Sequence, residues 1–475
     1  MKKLFAIFAL LALGLGSATG AETPSTMRLD YFHTGNAEEE HFSLDRVVIE
    51  PLPWPGHPDR AIDETNLGKY RFKVYRAADG TRGELLYSRG FASIYGEWET
   101  TGEAREIERT FHESVRFPAP AAKVEVALEK RDAAQAFQEV WSIEIDPASI
   151  FVDPSHPAPQ ELIELARHGD PAEKVDLLFL GDGYTAAERP LFERRARVLL
   201  EKFFSTSPFS ERRNDFNVWG ICPEARESGV SRPSTGIHRR SPLGATYDAF
   251  GSERYVLTFE NRTLRDVAAW APYEFLVILV NNDTYGGGGI FGLYSTLAAG
   301  NDWAPYLFIH EFGHHFAGLA DEYYTSSVAY ELSDDRLEPW ELNATALRDP
   351  AELKWGDLAT EGAPIPTPWP KEAFEEHAAK IQERRREIRA RNRPESEMSA
   401  LFREQQAFET ELLHGAEHAQ TVGAFEGANY APTGYYRSEI DCVMFTRNEV
   451  PFCAACSRGI ERVIDLYAPR AVENP

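Results

Sequence analysis

The chain has 475 residues, 43% hydrophobic and 26% charged, so it is neither a disordered tail nor a multi-span membrane protein. At about 150 residues per domain it holds roughly two or three domains. Acids outnumber bases by 75 to 50, a net charge of −25, which argues against nucleic acid or an anionic membrane surface as the main partner.

Lys2 and Lys3 precede an apolar run from Leu4 to Leu15, and small residues follow from Gly16 to Ala21. A basic start, a short apolar stretch and a small-residue end predict a secretory signal over residues 1–21. The run is too short to span a bilayer as a stable helix. The mature protein is therefore expected to be secreted or periplasmic, with no stable membrane insertion. Four cysteines remain, Cys222, Cys442, Cys453 and Cys456. An even number in an exported chain suggests disulfides. Cys453-Ala454-Ala455-Cys456 also reads as a redox pair or as half of a structural zinc site, although the sequence lacks a second CxxC.

Residues 27–150 read as all-β. Tyr70–Tyr75 and Val140–Ile145 alternate apolar and polar side chains, and turn residues such as Asp79-Gly80 lie between the runs. Short alternating strands with turns predict a β-sandwich. Proline-rich sequence from Asp153 to Pro159 marks a linker over 151–173. From 174 to 470 the pattern becomes mixed α/β. Strands are expected at Val175–Leu180, Phe216–Ile221, Tyr255–Phe259 and Phe275–Val280, with helices at about Ala186–Phe204 and Ala304–Phe316. Residues 371–413 carry a narrow apolar stripe, Phe374, Ala378, Ile381 and Ile388, broken at Arg393-Pro394 and resumed at Met398. They predict a charged helical hairpin that packs weakly on the rest.

The chemistry centres on His310-Glu311-Phe312-Gly313-His314. On a helix, residues i and i+4 share a face, so His310 and His314 can bind one zinc ion from the same side while Glu311 reaches its water as general base. A third protein ligand is needed with one position left open. Gly318 can end the helix, and Asp321, seven residues beyond His314, is then near enough to return to the metal. His315 is the rival ligand, but it lies about 100° around the helix from His314.

HEFGHHFAGLADEYY at 310–324 is similar to the active-site segment of the IgA peptidase family of zinc metallopeptidases. So are VDLLFLGDGYTAAE at 175–188, ESGVSRP at 227–233 and GAFEGANYAPTGYYRSEIDCVMF at 423–445. The β-rich part resembles that family's accessory domain. The family looks like a relative of the metzincins, which implies an α+β fold: an N-terminal β-sandwich followed by a metzincin-like mixed α/β zinc peptidase domain, with 371–413 as a helical-hairpin insertion. The same resemblance makes Met444 the methionine of a turn beneath the zinc. Two departures stand out. The usual glycine and third-ligand positions hold Ala317 and Ala320, with Gly318 and Asp321 one residue later, and no tyrosine closely follows Met444. Tyr436, Tyr323 and Tyr324 are the substitutes for a tyrosine that steadies the oxyanion. Gly286–Gly289, with Gly287, Gly288 and Gly289 at its centre, resembles the edge strand along which a peptide substrate pairs.

The resulting expectation is an exported zinc endopeptidase acting on a protein or peptide. It assigns no oligomeric state. Two other readings share the motif: a non-catalytic metal-containing binding protein or adhesin, and a zinc amidase acting on cell-wall peptides. Glu311 speaks against the first, since a dead site has no need of a base.

Overall fold

The computed structural model describes residues 23–78, 81–326, 328–329 and 336–470. The segment read as a secretory signal, 1–21, and the Asp79-Gly80 turn lie outside the described residues. The fold is α+β, with a strand-rich N-terminal region and a separate C-terminal domain.

The N-terminal strands are β1 (Ser25–Gly35), β2 (Glu40–Pro53), β3 (Tyr70–Ala78), β4 (Thr81–Phe91), β5 (Arg109–Pro118), β6 (Val124–Arg131), β7 (Phe137–Ile145) and β8 (Val152–Asp153). They form two four-stranded sheets, ordered β5-β1-β2-β8 and β4-β3-β6-β7. Alternation turns Met27, Leu29 and Tyr31 of β1 inward, where they share a core with Phe72 and Val74 of β3 and Val126 and Leu128 of β6. The opposite face of β1 is also buried. Arg28 and Asp30 pair there, and Arg28 reaches Asp266 in the C-terminal domain at 2.6 Å. Arg116 donates to the Tyr273 carbonyl oxygen at 2.8 Å. Charged residues on an outer sheet face thus mark the seam between the two regions.

The C-terminal domain is built on a six-stranded sheet ordered β13-β14-β12-β10-β11-β9. Its strands are β9 (Ile163–Ala166), β10 (Val175–Asp182), β11 (Phe216–Ile221), β12 (Phe275–Val280), β13 (Gly287–Ile290) and β14 (Tyr294–Ala298). The four central strands are parallel, and β9 and β13 close the edges antiparallel. β10, β11 and β12 are buried throughout, as central parallel strands covered on both faces must be. β9 lies within the stretch read as a linker and extends the sheet. The strand expected at Tyr255–Phe259 is absent: this segment makes only single-residue bridges, Tyr255 to Gly287 and Leu257 to Thr246.

Two long helices, Lys371–Ala390 and Glu395–His414, form the hairpin. Weak packing was the expectation, and the structure corrects it. Phe374, Ile381, Met398, Leu401, Phe402 and Leu413 all belong to the main core of the domain. The stripe is narrow because the helices present only that face, and most of it is buried, with Ile388 and Leu412 partly covered and Phe408 exposed. Among the described residues no helix is long and apolar enough to cross a membrane.

Candidate functional site

The helix Ala304–Ala317 carries two i, i+4 stripes. Phe308, Phe312 and Phe316 turn into the core against Phe203, Phe209 and Phe275. Each buried phenylalanine contributes roughly 1.5–3 kcal/mol, which anchors the helix. His310 and His314 lie on the other stripe and line a cleft of about 520 Å3.

Gly318 ends the helix in the left-handed conformation, φ 58° and ψ 41°. Its N–H donates to the His314 carbonyl, and Leu319 N–H donates to the Gly313 carbonyl. A side chain at Gly318 would also place Cβ 2.6 Å from the Trp340 ring. The reversal brings Asp321 back over the helix. Its Oδ1 lies 3.0 Å from His310 Nε2 and 3.2 Å from His314 Nε2, and the two Nε2 atoms are 3.3 Å apart.

The tautomers follow from the outer contacts. His310 Nδ1 is 3.0 Å from the Val443 carbonyl oxygen, and His314 Nδ1 is 2.5 Å from the Leu319 carbonyl oxygen. A carbonyl only accepts, so each Nδ1 carries the hydrogen and each Nε2 faces inward as a lone pair. Among the described residues Asp321 Oδ1 is buried with no hydrogen-bond donor assigned to it, while Oδ2 accepts from the Tyr430 hydroxyl at 2.6 Å. Three electron-pair donors thus converge with no hydrogen between them, a set that a cation satisfies. Although burial works against it, Asp321 pushes the His314 imidazole up to about 9. In turn, against the cost of burial, His314 and His310 hold the Asp321 carboxyl well below the usual carboxylate range.

Glu311 is half-buried, lines the cleft and lies over β13. A Cβ on Gly287 would stand 3.1 Å from Glu311 Cγ, and one on Gly289 would stand 2.2 Å from the Glu311 carbonyl oxygen and 2.9 Å from His314 Cβ. Burial pushes the Glu311 carboxyl up, and His310 and His314 offset part of that rise. The glycines are therefore needed so that the strand can approach the helix. Gly287, Gly288 and Gly289 all line the cleft, and at Gly287 the edge is already paired within the chain: Gly287 N–H donates to the Arg254 carbonyl and Val256 N–H donates to the Gly287 carbonyl, both at 3.1 Å. Gly288 packs on the Tyr255 ring.

Met444 is fully buried, and a Cβ on Gly313 would meet its sulfur at 2.9 Å. It packs behind the helix turn that carries the histidines. His315 is buried away from the cleft. Its Nε2 accepts from Leu276 N–H and its Nδ1 donates to the Ile290 carbonyl, both at 3.1 Å. Burial holds its imidazole down at about 3, neutral and fully occupied in bracing the sheet. Of the three tyrosines singled out, Tyr323 lines the cleft, with its hydroxyl 3.1 Å from Arg254 Nη2. Tyr324 turns onto Gly427 and Phe445. Tyr436 is not among the cleft-lining residues. Its neighbour Tyr435 is, because successive strand side chains point to opposite faces.

A family profile described as IgA Peptidase M64 matches residues 163–464, and one described as Peptidase M64 N-terminus matches residues 20–142. The chain belongs to the IgA peptidase M64 family. No curated protein gives a significant match. Membership in M64, a family of metallopeptidases, makes the chain a peptidase, and hence a hydrolase acting on a protein or peptide substrate. On this M64 chain the group His310, His314 and Asp321 has ligand atoms all within 4.8 Å of one another.

Two features of the M64 site escaped the sequence. Tyr430 lies in the matched 423–445 segment, but nothing local distinguishes it from Tyr435 or Tyr436. Asn429 and Tyr430, at φ 51° and 62°, turn the chain so that Asn429 N–H meets the Asp321 carbonyl and Tyr430 N–H meets that of Tyr323. The second feature is the state of the cysteines. All four are free in this structure, with no disulfide among them. Cys222 stands apart beside Gly181 and Phe192, and the Cys442 and Cys456 sulfurs are 3.9 Å apart, against about 2.05 Å for a bond.

Proposed function

We propose that the chain is an exported zinc-dependent endopeptidase that hydrolyses peptide bonds of a protein substrate, with His310, His314 and Asp321 as zinc ligands and Glu311 as general base. The observation that carries this reading is the convergence of two Nε2 lone pairs and one unpartnered carboxylate oxygen in the cleft. Tetrahedral zinc with bonds of about 2.0–2.1 Å to nitrogen and oxygen needs those atoms roughly 3.3–3.4 Å apart. Their separations of 3.0, 3.2 and 3.3 Å suit it.

When bound, zinc supplies Lewis acidity to the scissile carbonyl and acidifies water. Glu311 receives the water's proton and passes it to the leaving amine. Tyr323 keeps its own O–H to donate to the developing oxyanion, because Arg254 acts as the donor in their contact. Met444 holds the helix turn from behind by packing. Lys69 and Arg131 of the N-terminal region and Gln405 and Glu409 of the hairpin line the same cleft and bound the substrate. Export rests on the sequence of residues 1–21. The test is to incubate the zinc-loaded mature protein with a diverse peptide library and map new termini by mass spectrometry. Internal cuts abolished by chelation are expected. Peptide binding without cuts would favour the binding-protein reading.

A further inference from the structure

Directly behind the cleft, Glu322 meets Cys442, Cys453 and Cys456, which lie more than a hundred residues further along the chain, and all four are buried. Their ligand atoms lie within 4.8 Å of one another. The Cys442 and Cys456 sulfurs are 3.9 Å apart, and Glu322 Oε1 lies 3.5 Å from Cys453 Sγ and 3.3 Å from Cys456 Sγ. A tetrahedral ion with metal–sulfur bonds of about 2.3 Å and metal–oxygen bonds of about 2.1 Å requires sulfur–sulfur separations of roughly 3.8 Å and sulfur–oxygen separations of roughly 3.6 Å. The match is close.

Two further observations point to a ligand rather than to core thiols. Glu322 Oε1, the oxygen nearest the sulfurs, accepts from Asn343 Nδ2 at 3.0 Å, while among the described residues its Oε2 is buried with no hydrogen-bond partner, a costly state for a carboxylate. Three backbone N–H groups are aimed at sulfur: Met444 and Cys453 donate to Cys442 Sγ at 3.4 and 3.2 Å, and Cys456 donates to Cys453 Sγ at 3.5 Å. Such bonds favour thiolate over thiol, as outer contacts around metal-bound sulfur do.

We propose that Cys442, Cys453, Cys456 and Glu322 hold a second, structural zinc ion. Three thiolates select a borderline-soft metal over magnesium or calcium, and four protein ligands close the sphere, leaving no position for chemistry. Each thiol releases its proton to solvent on binding. The ion ties together the Asp321–Glu322 segment, the Met444 turn and the start of the C-terminal helix Ala454–Tyr467. Glu322 N–H already donates to the Met444 carbonyl at 3.0 Å, so the brace sits one residue from Asp321 and two from Met444.

The test uses the full mature chain and its His310→Ala/His314→Ala variant, each loaded with zinc or with cobalt(II). Elemental analysis is expected to find two tightly held metals in the parent and one in the variant. The cobalt form of both should show a sulfur-to-cobalt charge-transfer band in the near ultraviolet, which a site of two imidazoles and a carboxylate cannot give. Cys453→Ser/Cys456→Ser should remove the band. If the histidine variant does not fold, the band in the parent still decides. The proposal is overturned if the cobalt parent lacks the band, or if non-reducing peptide mapping joins any two of Cys442, Cys453 and Cys456. Failure of peptide cleavage alone leaves this result untouched, so the two readings fail separately.

Discussion

Tyr430→Phe isolates one outer contact of the cleft site. The hydroxyl donates to Asp321 Oδ2 at 2.6 Å in a partly buried setting. The ring is retained, so packing against Tyr323 at 5.7 Å persists and no cavity opens. A hydrogen bond to a charged group is worth about 1.5–3 kcal/mol net. Without it Asp321 has no partner on Oδ2 and less reason to keep Oδ1 on the histidines. Outer contacts of this kind typically cost roughly 10–100-fold in metal affinity, in agreement with that energy. The assay is competition for zinc against a chromophoric chelator at fixed pH, on parent, Tyr430→Phe and Asp321→Ala. Tyr430→Phe should fall between the other two, with an unchanged circular dichroism spectrum. An affinity equal to the parent's would refute the idea that Tyr430 positions Asp321, and a loss as large as that of Asp321→Ala would make Tyr430 more than a positioning residue.

Glu311→Gln should keep the cleft metal while lowering kcat by on the order of 10²–10⁴, read by peptide cleavage at matched zinc content; parental rates would sink the general-base assignment. Gly289→Ala puts Cβ 2.2 Å from the Glu311 carbonyl, so the strand must back away from the helix. Overpacking of this kind typically costs about 1–3 kcal/mol, visible as a lower Tm together with weaker metal binding. His315 makes stability depend on pH. Its folded value of about 3 lies below the ordinary value near 6.5, so its contribution is complete above about 6.5 and is lost as pH falls toward 3. Between pH 7 and pH 5 that loss is about 2 kcal/mol, and urea unfolding of His315→Gln should lack it. An identical pH slope in parent and variant would contradict the assignment. Replacing 371–413 by a short Gly/Ser link bares the core beneath Phe374, Ile381, Met398 and Phe402. Reduced soluble yield or a lower Tm is expected; a stable protein with parental Tm would show that the hairpin is dispensable to the core.

Local geometry explains how far the sequence reached. His310 and His314 meet because i and i+4 share a helix face, and Asp321 returns because Gly318 can turn left-handed a few residues later. Each relation spans about one turn, so spacing alone exposes it. The alternating strands around β3 and β7 were legible for the same reason. Relations spanning many residues were decided by packing. Tyr430 finds Asp321 across 109 residues, and Val443 holds His310 across 133. The edge of Gly287 is taken by residues 254–256, and the buried face of the hairpin was hidden behind its charge. Glu322 joins the three cysteines only because the Met444 turn and the start of the last helix fold onto the segment after Gly318. Periodicity records which face a residue presents; it carries no record of which distant segment meets that face, and only the tertiary fold supplies it.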